Sequence, residues 1–141
     1  AIIQGLDCIR LALADGTHPY SVPLSVGYVR EGDTEKFYFH GAANGRKVDL
    51  SRKLAYAGFE LDRNRTLKSD PKACDFSFAY ESVVGEGSIT ELTTREEKAA
   101  GLAVIMAHYS GRTDWDFPEG VLDRTCVFCL TVTEISGRAH G

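Results

Sequence analysis

Alternation of apolar and polar positions organises most of this chain. "LDCIRLALADGTHPY" alternates as far as Asp15, breaks at Asp15-Gly16 and resumes, which predicts two strands joined by a tight hairpin. The second of these, "YSVPLSVGY" from Tyr20 to Tyr28, places Tyr20, Val22, Leu24, Val26 and Tyr28 on one face and Ser21, Pro23, Ser25 and Gly27 on the other. A turn at Glu31-Gly32-Asp33 leads into a third strand, "KFYFH". The period then lengthens: "GRKVDLSRKL", residues 45–54, brings Lys47, Leu50 and Leu54 to one side of a short helix. "YAGFELD" reads as a fourth strand, and the polar stretch from Arg63 to Lys72, with Pro71, as a solvated loop. "CDFSFAYESVVGEGSITEL" reads as a long bent strand or a strand pair, with Gly85 and Gly87 as bulge or kink points.

The longer helix is "TTREEKAAGLAVIMAHYSG". Thr93 with Glu96, or Thr94 with Glu97, offers a capping box, and Ala99, Leu102, Met106 and Tyr109 make an apolar stripe that Gly111 ends. A last strand runs from about Cys126 to Ile135. Six or so strands with short turns and two helices predict a single, mostly β, antiparallel domain over residues 1–141, closed as a barrel with helices at its ends.

Composition narrows the partners. The 141 residues suffice for one core, and the net charge of -4 disfavours a general nucleic-acid binder. No apolar run is long enough to span a bilayer, and no secretory signal is visible, although the chain starts at Ala1 rather than Met and leaves room for a leading segment. Cys126 and Cys129 spell Cys-x-x-Cys inside "TCVFCLTV", but residues three apart on a strand face opposite ways, so the two thiols are expected to be buried apolar groups and no metal site is expected. A reduced, cytoplasmic protein is the corresponding expectation.

The chemistry gathers around "FYFHGAANGRK", residues 37–47. Arg46 and Lys47 stand at a helix N-terminus, where free N–H groups already carry partial positive charge and a cation costs about 0.3–1 kcal/mol. Arg52 and Lys53, at the other end, are favoured. A bound phosphate reverses the penalty, and Gly41, Ala42, Ala43 and Gly45 allow the backbone to approach it. A solvated basic pair is the plainer alternative. The slight face formed by Ser21, Pro23, Ser25 and Gly27 suits a flat ligand laid on the strand, or equally an exposed edge. A planar polar ring with a phosphate describes a nucleotide-like cofactor. No Rossmann turn or P-loop is present, so a mononucleotide on a β-barrel, best FMN, is the expectation.

In the order "PYSVPLSVGY", "FYFHGAANGRKVDL", "YESVVGEGSITEL" and "EEKAAGLAVIMAHYSG", the chain resembles the pyridoxamine 5'-phosphate oxidase-like FMN-binding split-barrel superfamily, and within it the nitroimidazole-resistance (Nim-type) proteins. The resemblance implies an antiparallel Greek-key split β-barrel and a homodimer with FMN at the subunit interface. It implies that Val22, Pro23, Leu24, Ser25, Val26 and Gly27 line the flavin, that His40 and Gly41 lie beside its ribityl chain and phosphate, and that Arg46 and Lys47 bind the phosphate. Ser82 matches a ring-contacting position, and Trp115 and Arg124 match, with a spacing offset of about one residue, a Trp and Arg that reach across the dimer. The oxidases carry Arg and Lys where Val22 and Gly27 stand, and their Arg-Leu-x-Pro end is replaced by "SGRAHG", so pyridoxamine phosphate oxidation is not expected.

The implied function is an FMN-dependent oxidoreductase, loaded by a reduced nicotinamide or another donor and discharged by a small acceptor. His40, with an ordinary pKa near about 6.5, either supplies a proton or only hydrogen-bonds the cofactor or a neighbour. The alternatives are a non-catalytic flavin- or haem-binding split barrel, with His40 or His108 as axial ligand, and a deazaflavin (F420) protein whose longer anionic tail meets Arg63, Arg65, Lys68 and Lys72.

Overall fold

Hairpins account for much of the sheet in a computed structural model that describes residues 8–42, 44–112 and 114–140. Strands β1 (Ile9–Asp15) and β2 (His18–Leu24) turn through Gly16, whose φ of 61° is the left-handed conformation that glycine takes without strain. Strands β3 (Gly27–Glu31) and β4 (Thr34–Ala42) turn through Gly32 at φ 63°. Helix α1 (Arg46–Leu54) follows, then β5 (Tyr56–Lys68), β6 (Ser77–Leu92), α2 (Arg95–Ser110), α3 (Glu119–Arg124) and β7 (Thr125–His140). All pairings are antiparallel, and the order is β2-β1-β5-β6-β7-β4-β3. The two outermost strands, β2 and β3, are consecutive in the chain, so the sheet curls until its ends meet at Ser25 and Val26. This is a split barrel.

Inside it lie Ile9, Leu11, Leu13, Leu24, Val26, Phe37, Phe39, Phe59, Leu61, Phe128 and Leu130, with Val48 and Leu50 of α1 packed against them. A smaller cluster of Leu102, Ile105, Leu122 and Val127 lies where α2 and α3 cover the outer face of the sheet. At about 1.5–3 kcal/mol for each large apolar side chain buried, the inner cluster is the main source of stability.

Five expectations are corrected. The segment from Tyr20 to Tyr28 is two strands, because the chain crosses between sheet ends at Ser25 and Val26. The basic segment after Arg63 is strand as far as Lys68, because β6 supplies hydrogen-bond partners: Leu67 opposes Phe78 and Lys68 opposes Ser77. The final strand continues to His140, past the expected end near Ile135, whereas residues 77–92 form one long strand with a register shift between Glu86 and Gly87, the first of the two forms expected. A third, six-residue helix, α3, joins the two expected. Of the two capping boxes, Thr94 with Glu97 is the one formed: Glu97 N–H donates to Thr94 Oγ1 at 3.1 Å. The buried positions of α2 are Gly101, Leu102 and Ile105, a stripe rotated from the expected one, because Gly101 allows the helix to press on the sheet where Met106 and Tyr109 do not.

Candidate functional site

Helix α1 starts abruptly. Gly45, its N-cap, has φ 143° and no side chain to accept from the first turn, so the free N–H groups there have no internal cap. The space above Gly45 is open. Arg46 and Lys47 are the first two helical residues, with Arg52 and Lys53 in the last turn.

The two cations are held by different means. The Arg46 guanidinium lies over the Tyr20 ring, 5.0 Å from its centre, a cation–π contact worth about 0.5–1 kcal/mol at an exposed site. Lys47 Nζ donates to the His40 carbonyl at 3.0 Å. Among the described residues neither cation has a carboxylate within ion-pair distance, whereas Arg52 is clamped by Glu91 at 2.8 and 2.9 Å and Lys53 meets Asp15 at 3.1 Å. Burial lowers the Lys47 pKa. An arriving phosphate oxygen would reverse that shift and complete both cations' hydrogen bonding.

Gly41 makes the lysine's position possible. A Cβ there would sit 2.9 Å from Lys47 Cε and 3.0 Å from Val48 Cγ2. The adjacent His40 is exposed on the outer face of β4, opposite Val127 of β7. Desolvation first, and then the Lys47 ammonium, lower its pKa, so the imidazole is neutral at pH 7. Ala42 is exposed at the end of β4; Ala43, expected beside it in the phosphate loop, lies outside the described residues.

The Arg46–Tyr20 contact joins the two features that the sequence singled out, since Tyr20 belongs to β2. That strand is an edge, paired only with β1, and Pro23 sits on it without a donor to waste. Ser21, Pro23 and Ser25 are exposed, with nothing bulky between them. Val22 is half-buried, while Leu24 and Val26 point into the core, so these two can present only main chain outward. The Val26 N–H donates to the Tyr109 hydroxyl at 3.2 Å.

Gly27 is different. Its small face is covered by α2: a Cβ there would lie 2.5 Å from Ile105 N and from the Val104 carbonyl carbon. The absence of a side chain at Gly27 is explained by helix packing.

Ser82 is half-buried on β6, between Asp62 of β5 and Arg138 of β7, three strands from β2. Trp115 lies beneath the Arg112 guanidinium at 4.1 Å, and its Nε1 donates to Ser110 Oγ at 3.3 Å, beyond the C-terminus of α2. Arg124 is exposed in the last turn of α3, folded back toward Gly120. No contact among the described residues ties these three to Arg46 or Lys47. One residue that the sequence reading left out, Tyr20, contacts Arg46, and another, Tyr109, accepts from the Val26 N–H. Tyr20 was legible as a core-face aromatic next to a slight strand face; nothing in the sequence linked Tyr109 to Val26, 83 positions away.

The other candidates are also placed. Arg63 of the basic segment is engaged by Glu81 at 3.0 and 3.1 Å. His108 stacks edge-on against Tyr109 with ring centres 5.0 Å apart. Cys126 and Cys129 are both buried, the former in the barrel and the latter facing α2. Among the described residues no group of three or more His, Cys, Asp and Glu could hold a metal, and no helix is long and apolar enough to cross a membrane.

A split barrel with a bare, doubly cationic helix start against an edge strand defines a class of small β-barrel proteins with a candidate anion site. The chain belongs to the pyridoxamine 5'-phosphate oxidase family, whose sequence profile matches residues 1–139. No curated protein sequence matches the chain. Solved structures similar to it include a candidate 5-nitroimidazole antibiotic resistance protein from Bacteroides thetaiotaomicron (24% identity, TM-score 0.80, 96% of this chain and 78% of that one). They also include an FAD- and haem-binding protein from Mycobacterium smegmatis (20%, TM-score 0.80, 99% and 68%) and an FAD-binding protein from Mesorhizobium loti (21%, TM-score 0.65, 99% and 91%). At these identities the likeness establishes the fold.

Proposed function

We propose that this protein binds FMN through Arg46, Lys47 and the start of α1, and acts as a flavin-dependent reductase of a small acceptor. The observation that carries the proposal is the pair of cations with no carboxylate partner among the described residues, one of them stacked on Tyr20 and so tied to the slight edge strand. Membership of the family and the flavin named for two structurally similar proteins support it.

The bound flavin would supply two-electron transfer. The chain's residues do the rest. Arg46 and Lys47 offer charge-assisted donors to phosphate oxygens, each worth about 1.5–3 kcal/mol. Ser21, Pro23 and Ser25 leave a flat surface for the ring. His40, neutral at pH 7, accepts a hydrogen bond or takes up and returns a proton on the outer face of β4. Ser82, Trp115 and Arg124, which lie apart from Arg46 in one chain, would reach a flavin from the second subunit of a homodimer. The apolar residues left exposed on the projecting ends of β5 and β6 (Leu67 at 58% and Phe78 at 48% exposure) are the surface for that subunit.

A haem-binding protein without activity is the second reading, favoured by the haem named for the Mycobacterium smegmatis protein. Extraction and mass identification of the purified cofactor, followed by anaerobic reduction with a nicotinamide and reoxidation by a 5-nitroimidazole, separates the readings. FMN that cycles supports the proposal. FAD replaces the mononucleotide, haem replaces the flavin, and a flavin that no nicotinamide reduces removes the stated donor.

A further inference from the structure

Helix α2 lies on the outer face of the sheet. Its line of closest approach is fixed by two glycines. A Cβ on Gly101 would lie 2.9 Å from Val127 Cγ1, 3.0 Å from Leu92 Cδ1 and 3.2 Å from Tyr38 Cδ1, and Gly27 lies under Val104 and Ile105. The helix therefore crosses β6, β7, β4 and β3 in close contact. Beside that line is a crevice of about 490 Å³, large enough for a small organic molecule, whose lining does not include His40.

The crevice is a slot. One wall is sheet, carrying Val29, Tyr38, Thr90, Cys129 and Thr131 across four adjacent strands. The other is the Ala100, Gly101 and Val104 side of α2, where small side chains leave the gap. The helix wall is apolar, while the sheet wall mixes Val29 and Cys129 with the hydroxyls of Tyr38, Thr90 and Thr131. The polar groups of the floor are neutral: the Tyr38 hydroxyl donates toward the Cys129 sulfur, and the Thr131 hydroxyl lies 4.0 Å from the same atom. Burial raises the pKa of Tyr38 to about 12 and also raises that of Cys129, so neither carries charge at pH 7. The mouth holds Glu31, Lys36 and Glu97. Lys36 is matched by Glu31 at 3.7 Å, and Glu97 keeps its charge in the helix cap, which leaves the mouth net negative.

We infer that this slot is a second ligand site, separate from the flavin site, for a small, flat, uncharged aromatic molecule with one hydrogen-bonding edge. The gap between helix and sheet, bordered by Val29, Tyr38, Leu92 and Val104, suits a flat ring, the Thr90 and Thr131 hydroxyls suit a polar edge, and the mouth repels anions. Nothing in this rests on the flavin. His40 is not among the residues that line the slot, so the two are treated as separate sites.

The test uses indole as the neutral probe and indole-3-acetate as the anion of the same ring, each titrated into the whole protein and followed by amide chemical shifts, with flavin content measured in parallel. The expected result is saturable shifts centred on Val29, Tyr38, Thr90, Cys129 and Thr131, at least about tenfold weaker binding of the anion, and unchanged flavin content. Ala100→Trp, at an exposed helical position whose side chain would fill the slot, is expected to abolish the shifts; Val104→Phe does the same from the next turn if the first variant does not fold. The inference is overturned by shifts centred on His40 only, by equal binding of the two probes, by unimpaired binding in the filled variants, or by no saturable shift up to about 10 mM indole.

Discussion

At the scale of single residues, Gly41 and Lys47 act as one unit. The lysine reaches the His40 carbonyl because position 41 has no Cβ. Gly41→Ala would push aside the flexible end of Lys47 more readily than it would the backbone, so we expect a fall in FMN affinity of roughly tenfold with about 1 kcal/mol or less of lost stability. Calorimetric titration of the apoprotein and chemical denaturation measure the two separately; a stability loss with no affinity loss would detach Gly41 from the site. The same lysine bears on His40. Burial and the ammonium both hold the His40 pKa down, so Lys47→Ala should move it upward, toward but not up to the ordinary value, in an NMR titration. The sign for stability follows. A histidine whose folded pKa is lowered leaves the unfolded chain holding more protons, so its contribution is complete above about pH 6.5 and is lost as the pH falls from there toward and through the folded pKa. A His40 that titrates identically in the variant would contradict the assigned contact.

Elements show how far the sequence could be read. Period-two alternation was sufficient to find β1, β2 and β4 and their inner faces, though not to place the break between β2 and β3. The extent of β5 was not legible: Asn64 to Lys68 is exposed and, Leu67 apart, polar, and it is strand because β6 pairs with it, a long-range hydrogen-bonding fact with no local signature. The cationic start of α1 was legible because it breaks a local electrostatic rule. The packing of α2 was not, since the partner of Gly27 is a helix about 80 residues away. Gly27 tests this element most sharply. A Cβ at 2.5 Å from backbone atoms of Val104 and Ile105 leaves no flexible group to yield. Gly27→Ala is expected to destabilise the fold by about 1–3 kcal/mol and to increase hydrogen exchange in α2 before it does so in β1 or β5. It also accounts for the departure from the oxidases, in which a lysine occupies the matching place: here the helix fills the space such a side chain needs. Loss of flavin from Gly27→Ala with full stability would mean instead that this position serves the cofactor directly.

For the whole molecule, the question is whether one chain is a complete site. Arg46, Lys47, Tyr20 and the β2 edge come together within it, while Ser82, Trp115 and Arg124 do not join them. We propose that a second subunit completes the site and docks on the projecting ends of β5 and β6, where Leu67 and Phe78 are exposed opposite each other. Sedimentation should therefore show a dimer, and Phe78→Glu should convert it to monomer and lower flavin occupancy, while a stable dimer in that variant would move the interface elsewhere.

The central claim is that the bare start of α1 and its two cations hold a flavin phosphate. The most direct measurement is the FMN dissociation constant of the Arg46→Ala, Lys47→Ala double variant beside that of the unaltered protein, by calorimetry on apoprotein whose fold is checked by circular dichroism. Loss of two charge-assisted contacts predicts affinity lower by at least about a hundredfold in a folded protein. Affinity within twofold of the unaltered protein would place the phosphate elsewhere and contradict the account.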